Sequence, residues 1–311
     1  MSAQPSGRVS RGQASQHTSD ICGHGAATAP GRAVLAAVGV LGGVVGAMLG
    51  GGTGTVTVPA LDRLTTLPRA TIHGTATIPN IAVAAVGASV YGLRGGALDA
   101  KVGLPLMVGG VLGVQFGVRL VTRASERTLR GIFVVVLVLA GAKLLLDALG
   151  LDPIGSAAVL PATVRERLGV VIVLALALGV VTGAWSAAMG LGGGLLTVPM
   201  LALLFGLGVH TAEGTSLVVM APNSSFAARA HIRQGTASLP VGLGVACGAA
   251  VGAVIGALIA LALPGRTVDL LFGSFVLAMA LRELLRMRAS VLSQDARRPA
   301  GLAGGRLRAR R

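Results

Sequence analysis

The chain has 311 residues, of which 53 % are hydrophobic, 12 % charged and only 3 % aromatic. That balance excludes an ordinary soluble domain. The formal charge of +15 does not point to a nucleic-acid binder either, because no basic stripe is interleaved with stacking aromatics; the arginines gather beyond Arg282 and at the ends of apolar stretches.

Residues 1–32 are rich in Ser, Gly and Gln and are expected to form a disordered cytoplasmic tail. Beyond them the charges are segregated. Arg32 to Asp62 encloses 29 uncharged residues, Arg69 to Arg94 encloses 24, Lys101 to Arg119 encloses 17, Arg167 to Glu213 encloses 45 and Arg233 to Arg266 encloses 32. Runs of this kind are spanning helices, since only a helix satisfies its own backbone inside lipid. Eight spans are expected, at 33–50, 71–92, 102–121, 130–149, 168–189, 213–230, 239–263 and 268–286. The fourth and eighth are short between charges, so Lys143 and Arg282 are expected to snorkel to the interface. A cleavable signal peptide at 33–49 is rejected, because that segment has a partner in the second half. Cys22 lies in the tail and Cys247 in an apolar span, so neither a disulfide nor a metal pattern can be read.

The partner is the most telling feature. Residues Gly39–Leu61 and Gly179–Leu201 align without a gap, and 11 of 23 positions are identical. The shared core is Gly50/Gly190, Gly52/Gly192 and Gly54/Gly194, followed by Thr57-Val58-Pro59 and Thr197-Val198-Pro199. Downstream, Gly74-Thr75 matches Gly214-Thr215, and Gly109, Gly113 and Gly117 match Gly248, Gly252 and Gly256. The expected fold is therefore an all-α membrane protein of about eight transmembrane helices. It comprises two homologous four-helix halves, 33–150 and 165–290, whose first and fifth helices are broken by glycine. A linker at 151–164 joins them and a basic disordered tail follows at 291–311. Four spans per half is an even number, so both halves are expected to insert the same way up, about an axis along the membrane normal. Lys and Arg counts of roughly 13 against 7 put both termini in the cytoplasm.

The run 168–212 would be roughly 67 Å long as one helix, about twice the hydrocarbon thickness. It is expected to fold back at Gly190, Gly192, Gly193 and Gly194, with a short helix beginning near Leu195 or Thr197 and Pro199 in its first turn. The first half should break at Gly50, Gly52 and Gly54, with a short helix through Pro59. A helix that begins inside the membrane aims unpaired N–H groups and the positive end of its dipole at the interior, which suits an anion. The candidate substrate-binding residues are those seven glycines together with Thr75, Thr215, Ser216, Asn80 and Asn223. The four-residue glycine spacings at 109–117 and 248–256 read as helix packing instead. His73 and Glu213 occupy the same repeat position, which suggests a titrating pair across the axis. No carboxylate sits in mid-span as a proton relay.

Gly190-Leu191-Gly192-Gly193-Gly194 through Val198-Pro199, followed by Gly214-Thr215-Ser216, resembles the sulfite exporter (TauE/SafE) family over about residues 33–290. The first half departs from the pattern, with Thr53 in place of the middle glycine and Ala76 in place of the serine. The resemblance implies a multi-pass plasma-membrane permease that exports sulfite, a sulfonate or a related small organic anion. It implies no cofactor and no metal; its partners are the anionic substrate and the lipid bilayer, with no nucleic acid, and self-association stays open. An anion channel and a non-transporting membrane assembly partner are the alternatives. An enzyme is not expected, since no nucleophile–base pair or ligand spacing is present. A pump is not expected either, because neither Lys101 nor Lys143 lies in a phosphate-binding loop. Gly192→Leu should abolish saturable efflux of labelled sulfite from proteoliposomes while the protein stays folded. Equal flux in parent and variant would remove the glycine break from the site.

Overall fold

The computed structural model describes residues 31–121, 126–151, 160–189 and 193–296; most of the predicted tails at 1–32 and 291–311, namely 1–30 and 297–311, and residues 152–159 of the predicted linker at 151–164 lie outside these. The described residues are helical with short connections and contain no strand. The first half holds α1 (Arg32–Met48), α2 (Gly54–Leu64), α3 (Arg69–Val90, extended by a π-helical turn, Tyr91–Gly95), α4 (Ala100–Val121) and α5 (Glu126–Leu149). A single turn, α6 (Ala162–Arg165), leads into α7 (Leu168–Met189), α8 (Gly194–Met200, extended by a π-helical turn, Leu201–Phe205), α9 (Val209–Arg233), α10 (Leu239–Ala262) and α11 (Gly265–Ala296). Each predicted span coincides with one long helix. The helices Arg69–Gly95, Leu168–Ala187 and Leu239–Ala262 are long and apolar enough to cross a membrane; Arg32–Met48, Ala100–Gln115 and Gly194–Phe205 are shorter apolar helices. The last helix runs past the predicted boundary near Ser290, because neither Gly nor Pro interrupts residues 274–298.

Glycine decides which helices touch. Gly248, Gly252 and Gly256 of α10 meet Ala36, Val40 and Val44 of α1 in that order, and a Cβ on any of them would overlap a carbonyl of α1. Likewise Gly109 and Gly113 of α4 meet Leu176 and Val180 of α7. Small residues at four-residue spacing let two backbones close in without side-chain interference. The third long helix of each half thus packs along the first helix of the other half. The halves are interleaved rather than side by side, and the expected packing role of these glycines is what the structure shows.

The same contacts set helix direction. The pairs above run in register, so α1 is parallel to α10 and α4 to α7. Ile78 meets Gly242 and Gly95 meets Leu261, so α3 is also parallel to α10. Gly103 meets Thr215 and Gly110 meets Asn223, so α4 is parallel to α9. Now α1 and α3 point the same way, and the chain between them has to return. That return is α2: Gly42 faces Thr57 while Gly46 faces Thr53, an antiparallel order. By the same logic α7 and α9 are parallel, and the segment containing α8 is the return.

This overturns the expectation that both halves insert the same way up about an axis along the membrane normal. The chain folds back at the glycine breaks, and α1 and α2 form a hairpin. Because α1 is parallel to α3, α3 antiparallel to α9 and α9 parallel to α7, the first helices of the two halves run in opposite directions, and the halves are inverted relative to one another. The central pairs confirm it. Gly74 meets His231 and Gly87 meets Leu217, making α3 antiparallel to α9. Arg266 at the start of α11 donates to the Ala148 carbonyl at the end of α5, so the fourth long helices are antiparallel as well. The pseudo-twofold axis therefore lies across the helices, not along them. Run length shows where the chain folds back, but spacing does not reveal which helices of the two halves run parallel.

A short thiol-reactive cross-linker should bridge Ala148→Cys and Arg266→Cys in membranes. Parallel halves would hold these positions a helix length apart, and no bridge would form.

Candidate functional site

The two hairpins approach from opposite sides and touch at their tips. A Cβ on Gly194 would overlap the Gly50 carbonyl oxygen and lie 2.8 Å from Gly51 Cα; one on Gly50 would lie 2.8 Å from Glu213 Cα. Gly50 and Gly52 adopt φ of 58° and 78°, and Gly193 adopts 77°, the left-handed region that other residues enter at a cost. Both features demand glycine here. Gly190 and Gly192 lie outside the described residues. Ser216 Oγ donates to the Gly50 carbonyl at 2.9 Å and ties α9 to the opposite hairpin. Its counterpart Ala76 cannot do the same.

The tips are not built alike. Thr53, in place of the aligned glycine, has helical φ of −74°. Its N–H and its hydroxyl both donate to Asn80 Oδ1, at 2.7 Å and 2.9 Å. Asn80 thereby caps the N-terminus of α2 from α3 and is completely buried. Asn223, in the matching Pro-Asn pair of α9, packs against Gly110, and its Oδ1 has no hydrogen-bond partner among the described residues. The pairs Pro79-Asn80 and Pro222-Asn223 are displaced by 143 positions rather than 140. The fixed offset therefore hid this second repeated element. Pro199 is also displaced from its expected place: α8 already begins at Gly194, which puts the proline in the second turn.

Thr75 and Thr215 serve a different purpose from the tips. Thr75 Oγ1 accepts the Ser238 N–H and Thr215 Oγ1 accepts the Asp99 N–H, each at 2.9 Å. These are pseudo-equivalent bonds, each joining one half's second long helix to the start of the other half's third. Thr215 adjoins the crossing, since Glu213 and Ser216 on either side of it both meet Gly50.

Along α2 runs a cavity of about 570 Å³. Its inner wall is Gly54, Thr55, Val58 and Pro59, closed laterally by Ile72 of α3, Trp185 of α7 and Met279 of α11. Its mouth carries Arg63, Arg69, Arg282 and Arg286, with His73, against two carboxylates, Asp62 and Glu283. The cavity joins this basic cluster to the first residues of α2, the end of the helix that carries the positive pole of its dipole. Sequence reading missed this vestibule, because Arg63 and Arg282 are more than two hundred positions apart. Arg282, expected to snorkel to the interface, lines the cavity; Lys143 pairs with Asp147 at 2.6 Å.

Among the described residues the second hairpin is more covered than the first. Every residue of α8 from Gly194 to Pro199 is buried, whereas Thr55, Val56, Val58 and Pro59 of α2 are half-buried. The described cavity thus opens beside α2 and not beside α8. Glu213, at the closed end, is fully buried, and its Oε2 accepts the Tyr91 hydroxyl at 2.9 Å. His73 lines the open vestibule, so inversion separates the supposed His73–Glu213 pair to opposite ends.

The comparisons with known proteins match this duplicated architecture. The family model described as sulfite exporter TauE/SafE matches residues 8–144 and again 175–308, once per half. The chain belongs to the sulfite exporter TauE/SafE family. It is thus a member of a membrane transporter family, and its apolar helices are transmembrane in kind. No curated protein and no solved structure matches it.

Asn80→Ala removes the acceptor from two buried donors and should lower stability by about 1–3 kcal/mol, read as an earlier thermal transition in detergent. Asn80→Asp keeps the acceptor oxygen and should recover part of it.

Proposed function

We propose that this TauE/SafE family member is a secondary transporter of eight apolar elements that exports a small anion, such as sulfite, a sulfonate or a related organic anion, across the cytoplasmic membrane. The observation that carries this reading is the one-sided vestibule, basic at its rim and ending at the N-terminus of α2. In a low-dielectric interior those N–H groups offer an anion compensation without an obligate cation. The proposed binding position lies where Gly54 and Thr55 border the cavity, next to the crossing of Gly50, Gly51 and Gly194. Gly52 and Asn80 shape that position from behind, and Gly193 belongs to the same crossing. Gly190, Gly192 and Asn223 are proposed as the second hairpin's contribution. Thr75, Thr215 and Ser216 are proposed to hold the halves and tips in register.

Inversion gives a simple transport cycle. If the second hairpin adopts the first one's environment and the reverse, the cavity opens on the other side. A pathway sealed at one end at a time is a carrier, which favours transport over the channel reading. The inverted topology also reassigns the basic residues. Arg32, Arg63, Arg69, Arg119, Arg127, Arg130, Arg229, Arg233, Arg282, Arg286 and Arg288 fall on the side of the termini; Arg94, Lys101, Lys143, Arg165, Arg167 and Arg266 fall on the other. We therefore assign the termini and the open vestibule to the cytoplasm of a plasma-membrane protein. Export of an anion is aided by an inside-negative potential, worth about 2.3 kcal/mol per charge per 100 mV.

Proteoliposomes should show saturable efflux of labelled sulfite, and Arg282→Gln with Arg286→Gln should raise the half-saturating concentration several-fold and flatten its dependence on salt. No flux above empty liposomes would remove sulfite as a substrate. Unchanged saturation in the double variant would remove the vestibule as the entry route.

A further inference from the structure

Glu213 is a fully buried carboxylate near the closed end, one turn from the crossing of the hairpins. Its Oε2 accepts the Tyr91 hydroxyl, which also lies 3.3 Å from the Ala47 carbonyl at the end of α1. His210 Nδ1 stands 3.7 Å from the same oxygen, and that side chain is 27 % exposed. Glu213 Oε1 has no hydrogen-bond partner among the described residues. Its Cα lies directly against Gly50, and three residues on, Ser216 bonds the Gly50 carbonyl.

The surroundings offer little to hold a charge there. On α9 itself the facing group is His210. From α3 comes Tyr91, and from α11 Asp269, another carboxylate within electrostatic reach. Behind Asp269, α5 presents Asp147, already paired with Lys143. At the start of α4, Asp99 spends Oδ1 on the Val102 N–H. The helices α7, α8 and α10 contain no carboxylate, histidine or basic residue. An ionised carboxylate with one bare oxygen is strongly disfavoured in such a place; a carboxylic acid is not.

We propose that Glu213 is the proton-binding site of the far gate, which closes only when this carboxyl carries a proton. The idea rests on the transporter reading above. His210, half in water, connects the carboxyl to the far side. When that side opens, Glu213 takes the position that His73 holds now, lining a vestibule, by the inverted repeat. There it loses its proton to water, and the resulting carboxylate repels the anion at the neighbouring hairpin tips and speeds its departure. Reclosing needs one proton back from the same side. The proton thus gates the cycle without crossing the membrane.

The test has two arms. Infrared difference spectra of the purified full-length protein, parent minus Glu213→Gln, should show a protonated carboxylic acid at neutral pH, shifted in Tyr91→Phe. Absence of that band overturns the proposal without any substrate. The second arm uses proteoliposomes loaded with labelled methanesulfonate, which stays anionic at all the pH values used. Efflux should fall several-fold as external pH is raised from mildly acidic to alkaline, and Glu213→Gln should remove that dependence. A dependence retained in Glu213→Gln but lost in His210→Gln would assign the proton to the histidine and overturn the proposal. Should methanesulfonate not move at all, the transport reading fails for sulfonates while the infrared arm still decides the proton site.

Discussion

The backbone of Gly50 and Gly51 lies directly on Gly194, and the rest of the molecule is arranged around that crossing. A helix that stops inside a membrane exposes N–H groups that lipid cannot satisfy. Two such stops can be tolerated where each is covered by protein. Here the two re-entrant hairpins cover one another, and the residues at the crossing have no side chains to hold them apart. Ser216 binds the Gly50 carbonyl across the contact, and Asn80 takes the Thr53 N–H. Gly54 and Thr55, which follow Thr53 at the start of α2, line the cavity.

The interleaving of the halves follows from the same economy of side chains. Gly248, Gly252 and Gly256 press on α1, and Gly109 and Gly113 press on α7. Each hairpin's outer helix is therefore gripped by a helix of the opposite half. Thr75 and Thr215 add matching bonds between the halves. Among the described residues α2 lies beside an open cavity and α8 is buried.

Departures from symmetry carry as much meaning as the symmetry. Thr53 stands for Gly193, Ala76 for Ser216 and His73 for Glu213. The first hairpin is thus capped by Asn80 and flanked by arginines, while the second is flanked by a buried acid and a tyrosine. That asymmetry is written into single residues rather than into the fold.

The sequence by itself determined the class of protein, the positions of the long helices, the duplication and the need for breaks at the glycines. Those properties depend on local composition: charge-free length, four-residue glycine spacing and the φ values only glycine tolerates. Asn80 was legible as a buried polar residue, and the packing role of Gly109, Gly113, Gly248, Gly252 and Gly256 was legible from spacing. The tertiary structure alone decided how the halves are oriented, because run length shows where the chain folds back but not which helices of the two halves run parallel. That orientation brought Arg282 to the cavity beside α2 and parted His73 from Glu213. It also assembled the site from α2, α3, α7 and α11, whose contributions are scattered from Gly54 to Arg286. Distance along the chain carries no information about such a meeting; only the packing of glycine against backbone does.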